Sequence, residues 1–120
     1  MGIVANILES VNWFIGEDKT INIDVNQSDG TTPQAMTGWA LTWELKDSPN
    51  GAIKVSKTVG SGITIGNGDG TNDRAAIAIA DTDTEPLNPG TYYHQLRRSD
   101  AGNEVIQAFG DAVLRESGLE

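Results

Sequence analysis

Tyr92, Tyr93, His94, Arg97 and Arg98 lie together in one short stretch, GTYYHQLRRSDAGNE, running from Gly90 to Glu104. Side chains of these types hold anions, polarise carbonyls and move protons. His94 is the only histidine in the chain. Imidazole is the side chain whose ordinary pKa lies near neutrality, so any histidine-dependent acid–base step must use it. A small hydrolase built on His94 would also need a nucleophile and an orienting acid, and the sequence holds no Gly-x-Ser-x-Gly elbow. The neighbouring Ser99 reads as a turn residue. On a strand, His94 shares a face with Tyr92 and Leu96, the setting of a partly buried structural histidine.

The acidic stretches offer a second chemistry. GNGDGTND gathers Asn67, Asp69, Asn72 and Asp73 in one glycine-permitted loop, and DTDTE adds Asp81, Asp83 and Glu85. Hard cations such as Ca²⁺ take several oxygen ligands from such turns, which makes Asp69 and Asp73 the candidate metal ligands. The spacing is not that of an EF-hand, and as a hairpin turn the loop requires no metal. A glycosidase pair is a further possibility if Asp81 and Asp83 share one strand face. Trp39 and Trp43 alternate with Leu41 and Leu45 and read as core, leaving Trp13 as the tryptophan free to be exposed. Arg97 and Arg98 could clamp an anion, or pair with Asp100 or Glu104.

The chain has 120 residues, a net charge of −9 and no cysteine. That length suits one domain with one core. The charge argues against nucleic acid and against an anionic membrane surface, because both are bound by neutralising phosphates with Lys and Arg. No apolar run approaches the roughly 20 residues of a membrane-spanning helix. Without cysteine there is no disulfide, thiolate nucleophile or Cys-based metal site. No cofactor is implied.

Hydrophobic residues recur with period 2, as in strands buried on one face. Ile21, Ile23 and Val25 alternate in TINIDV, and Trp39, Leu41, Trp43 and Leu45 in WALTWEL, with Thr42 and Glu44 turned the other way. AIKVSKTV, GITIG, AAIAIA, TYYHQLR and EVIQAF continue the pattern. Turn residues separate the runs, and all four prolines fall outside strand interiors. With a possible first strand in ANILESVNWFI, the pattern predicts an all-β sandwich of about seven or eight antiparallel strands. It divides into an N-terminal arm or first strand over 1–15, a sandwich over 16–116 and a tail over 117–120 that could be tag-derived. The arm has no clean period, and its Ile3, Val4, Ile7, Leu8, Trp13 and Phe14 are candidates for contact with a neighbouring subunit.

Taken together, GEDKTINIDV, the DG and TG ahead of WALTWEL, LKDSPNG, and above all DTDTEPLNPGTYYHQLRRSDAG resemble the immunoglobulin-like domain of tailed-phage virion proteins. That domain stands at the N-terminus of upper baseplate proteins and in related small virion proteins. The resemblance spans about residues 16 to 114. It implies an immunoglobulin-like sandwich, assembly rather than catalysis, and no catalytic residues. In baseplate proteins the domain leads into others, whereas this sequence stops, which points to a capsid decoration or cement protein, or a neck, tail or baseplate accessory. Expected partners are other virion proteins (the major capsid protein or tail and baseplate subunits) and further copies of the chain, with the virion as its location. Tyr93, Arg97 and Arg98 join the arm residues as the expected interface. Tyr92 takes the place of a tyrosine corner, and His94 the buried slot that holds cysteine in disulfide-bonded relatives. A calcium-assisted carbohydrate-binding module is the alternative.

Overall fold

The computed structural model of the protein describes residues 6–7, 11–26, 31–66, 72–100, 102 and 104–116. Strands β1 (Asn6–Ile7), β2 (Val11–Phe14), β3 (Lys19–Asp24), β4 (Leu41–Lys46), β5 (Ile53–Val59), β6 (Gly62–Gly66) and β7 (Arg74–Ile79) are followed by a one-turn helix, α1 (Asp81–Thr84). β8 (Gly90–Arg98) and β9 (Val105–Arg115) complete the chain. The sheet order is β1-β9-β8-β4-β5-β6-β7-β3, with β2 also on β9.

Side chains from both ends of that order meet in one core. Ile21 and Ile23 of β3 and Ile77 of β7 cluster with Leu41, Trp43 and Leu45 of β4, Leu96 of β8 and Leu114 of β9. The sheet therefore folds over on itself into a sandwich with an immunoglobulin-like arrangement. Its corner is the β5–β6 link, where only Thr58↔Gly62 and Val59↔Ile63 pair, in parallel. Gly60 and Gly62 supply the positive φ values of 86° and 108° needed to turn there. A Cβ on Gly62 would lie 2.6 Å from Lys57 Cδ. The bare glycine thus accommodates the Lys57 side chain, which ends on Asp83 at 2.8 Å.

Pairing is antiparallel at β3–β7, β4–β5, β4–β8, β6–β7 and β8–β9. The exceptions are the β5–β6 corner and the N-terminal edge, where β1 and β2 run parallel to β9. Across that edge Trp13 stands opposite Leu114. Trp13 is 3% exposed and belongs to the core, which corrects the expectation that it is the free tryptophan available to a neighbour. Parallel pairing on β9 carries its indole inward, and Trp39 instead lies ahead of β4, only partly buried. Ile3, Val4 and Leu8 lie outside the described residues, and Ile7 pairs with Phe109.

Two further departures have local causes. Asp81 and Asp83 do not share a strand face, because the chain leaves β7 and makes α1, with the Ala80 amide donating to Asp83 Oδ2 at 2.7 Å. β9 also runs past Gly110 to Arg115, where sequence reading ends a strand at phenylalanine. A glycine inside a strand marks a place where another group comes close, and here Gly110 stands opposite His94.

The turn into β8 is closed by the Tyr92 hydroxyl, which donates to the Asn88 carbonyl at 2.7 Å while the ring is buried. This is the tyrosine corner expected from the sequence. Tyr92→Phe should lower the free energy of unfolding by about 1 kcal/mol, the net worth of one such bond. Trp13→Ala should cost about 3–5 kcal/mol through the cavity it leaves. Urea titration monitored by tryptophan fluorescence for the first, and by circular dichroism for the second, measures both.

Candidate binding face

Successive side chains of a strand point to opposite sides, so β8 has two chemically distinct surfaces. Tyr92, His94 and Leu96 point into the sandwich, and Tyr93, Gln95 and Arg97 point out.

The inward set follows a size rule. Tyr92, His94 and Leu96 stand opposite Ala112, Gly110 and Ala108 of β9, so each large side chain of β8 faces a small one. On the other side, His94 is level with Leu45 and Leu96 with Trp43 of β4. The Trp43 indole N–H donates to His94 Nδ1 at 3.1 Å, with the rings edge-on at 61°. A nitrogen that accepts is unprotonated, so His94 is neutral and carries its proton on Nε2. That N–H has no partner among the described residues. Burial pushes the pKa down to about 4, against a smaller upward pull from Asp111. His94 has no exposed surface. It is a core residue, two places after the tyrosine corner.

Arg98, at the end of β8, is held in place. Its guanidinium lies 4.0 Å over the Trp39 ring, and its Nε and a terminal nitrogen donate to Asp100 Oδ2 at 3.1 and 2.8 Å. The other Asp100 oxygen accepts from the Ala40 amide. The Arg98 hydrogen bond, followed by that amide, holds the Asp100 carboxyl below the usual carboxylate range. Of the two arginines, Arg98 thus takes the expected local acid, and its cation–π contact lends it to structure.

Arg97 does something the sequence did not suggest. It reaches Glu44 of β4, whose Oε2 lies 3.4 Å away, and Gln95 donates to Glu44 Oε1 at 2.8 Å. Glu44 points to the outer side of the sheet, yet it is only 5% exposed. Around this polar centre the registers lay out the rest of the face. Ser56, Glu44, Gln95 and Phe109 form one row, and Thr58, Thr42, Arg97 and Ile106 the next. Lys46, Tyr93 and Asp111 form a third, and a register shift between Leu45 and Lys46 sets Ile53, two places from the inward Val55, opposite Lys46 at its β5 end. Tyr93 packs against Phe109 at 6.3 Å between ring centroids, and its burial raises the hydroxyl pKa. Two exposed apolar side chains flank this surface, Phe14 at 43% and Ile53 at 53%.

Of the predicted interface residues, the outer face thus gathers Phe14, Tyr93 and Arg97, while Trp13 and Arg98 serve the fold. Sequence reasoning missed Glu44, Gln95, Phe109 and Ile53. Period 2 signals that Glu44 points outward, but its burial depends on having Gln95 and Arg97 beside it, which is a matter of strand register. Among the predicted metal ligands, Asp69 lies outside the described residues. Asp73 is 3% exposed, and its carbonyl accepts from the Val25 amide at 2.9 Å. Among the described residues no three His, Cys, Asp or Glu side chains converge in a metal-binding group. Nor, among the described residues, is any helix long and apolar enough to cross a membrane.

Charge is unevenly used. Among the described residues five ion pairs, Lys54–Asp47, Lys57–Asp83, Arg74–Asp24, Arg97–Glu44 and Arg98–Asp100, engage five of the eight Lys and Arg residues. The sequence matches no family model and no curated protein. The outer face of β5-β4-β8-β9 is a mixed polar and aromatic surface with a desolvated centre.

The lowered pKa of His94 fixes a pH dependence. The unfolded chain takes up this proton near pH 6.5 and the folded chain only near 4. Stability from the neutral imidazole is therefore complete above about pH 6.5 and is lost as pH falls towards 4, by roughly 3 kcal/mol in all. In His94→Gln, which keeps an acceptor for Trp43, the loss over that window should shrink to the part due to carboxylates. Urea titrations at stepped pH compare the two slopes.

Proposed function

We propose that the chain is a structural subunit of a tailed-phage virion, acting as a capsid decoration or cement protein or as a head–tail or baseplate accessory. It works through protein–protein contacts and carries out no reaction. The observation that supports this reading most is the fate of the chemically capable residues in GTYYHQLRRSDAGNE. Tyr92 closes the corner, His94 fills the core and Arg98 is locked between Trp39 and Asp100. What that stretch leaves outward is Tyr93, Gln95 and Arg97, three members of a broad sheet face suited to a protein partner.

The run that most resembles the phage domains, DTDTEPLNPGTYYHQLRRSDAG, coincides with α1, the corner, β8 and the turn that follows. The resemblance therefore falls on the segment that sets the sandwich frame. Its partners in this reading are the major capsid protein or tail and baseplate subunits, and further copies of itself. Assembly takes place in the host cytoplasm and the product resides in the virion.

The test is an inventory of particles purified from the producing culture on a density gradient. Mass spectrometry should find the chain in the particle band, enriched over the lysate and in fixed ratio to the major capsid protein. Presence in the lysate with no enrichment in any particle band would exclude the assignment.

A further inference from the structure

We propose that the outer face of β5-β4-β8-β9 binds the same face of a second copy, pairing the two sandwiches about a two-fold axis. This rests on the reading above only in taking self-association as part of the chain's work. It names the surface and the occupant.

The first argument is electrostatic. Two copies of a chain with net charge −9 repel one another. The outer face is closer to balance, because Lys46, Arg97 and Arg115 stand with Glu44 and Asp111 in its rows, and Lys54 is paired with Asp47 at its β5 margin. Both signs lie within neighbouring rows, so a two-fold axis can set the basic part of one copy against the acidic part of the other. An isologous contact needs a patch that matches itself in this way.

The second argument is desolvation. Covering a charged group usually costs the water it loses. Here the central carboxylate, Glu44, is 5% exposed and Gln95 is 9% exposed, and they are already hydrogen-bonded to each other. Most of that cost therefore falls on folding, and docking has little water left to remove from the centre. Tyr93, Phe109 and Ile106 surround this centre, with Ile53 at the margin, and they contribute apolar area on contact.

The third argument is size. Four strands about 4.8 Å apart, with about 3.3 Å per residue along β8, give a footprint of roughly 19 by 30 Å. Two such footprints bury on the order of 1,100 Å², just above the roughly 1,000 Å² of a specific interface. Sheets stack face to face about 10 Å apart with strands about 30° from parallel, so the contact needs no change in either copy.

Sedimentation velocity of the full chain, from about 1 to about 300 µM in roughly 0.15 M salt, reads the result directly. The expected outcome is a monomer–dimer equilibrium. Ile53→Asp and Tyr93→Asp should each weaken it at least about tenfold, while Val59→Asp, at an exposed site off this face, should leave it unchanged. Melting curves confirm that each variant folds. Because the chain has no cysteine, Ile53→Cys bearing a nitroxide gives a second readout, a dipolar coupling between copies that appears with the dimer. A monomer at every concentration, or a dimer disrupted by Val59→Asp and not by Ile53→Asp, overturns the proposal. A monomeric chain that is nonetheless enriched in particles would sink this pairing and leave the virion assignment standing. A dimer absent from particles would do the reverse.

Discussion

The hydrogen bond from Trp43 to His94 ties together the two strands on which the rest of the sandwich is hung. It joins the middle of β4 to the middle of β8 inside the core. It fixes the histidine as a neutral acceptor and fills the core between β4 and β8 with two rings. Its geometry requires room across β9, and Gly110 leaves that room. The register of β8 between its neighbours, and with it the alternation of inward and outward residues, follows from seating these side chains. A slip of one position would put Arg97 where Leu96 belongs.

With that register set, the two sides of β8 take on different physics. Inside, large side chains meet alanine and glycine, and packing together with the Trp43–His94 hydrogen bond specifies the match. Outside, Gln95 and Arg97 arrive beside Glu44, and a carboxylate is withdrawn from water on what would otherwise be an ordinary solvent face. A buried ion pair of this kind contributes less to stability than hydrophobic residues of similar volume often do. What it marks is the register, since Glu44, Gln95 and Arg97 meet only when β4 and β8 are aligned as they are.

Much of this frame was legible in the residues themselves. Alternation located the strands, the turn residues located their ends, and Tyr92 with His94 two places on gave the corner and the core slot. The misreadings share one cause, since each depended on a neighbour distant in sequence. Trp13 is drawn into the core by parallel pairing beside Leu114. β9 continues through Gly110 because β8 pairs with it along its whole length, from Gly90 to Arg98. Trp39 drops out of β4 and becomes a platform for Arg98. The binding face was the least legible element. Its Phe109, Ile53 and Glu44 come from three strands and acquire meaning only when register lays them in rows.

The five internal ion pairs also govern how the molecule looks from a distance. With five of its eight Lys and Arg residues paired with its own acids, the sandwich presents a predominantly negative field away from the β5-β4-β8-β9 face. In dilute buffer that field extends across the gap between approaching copies and holds them apart. At physiological ionic strength it decays within about 8 Å, a fraction of the molecule's shortest extent of 24 Å. Beyond that distance dissolved salt hides the charge of one molecule from the next, and only surfaces in near contact still feel each other's sign.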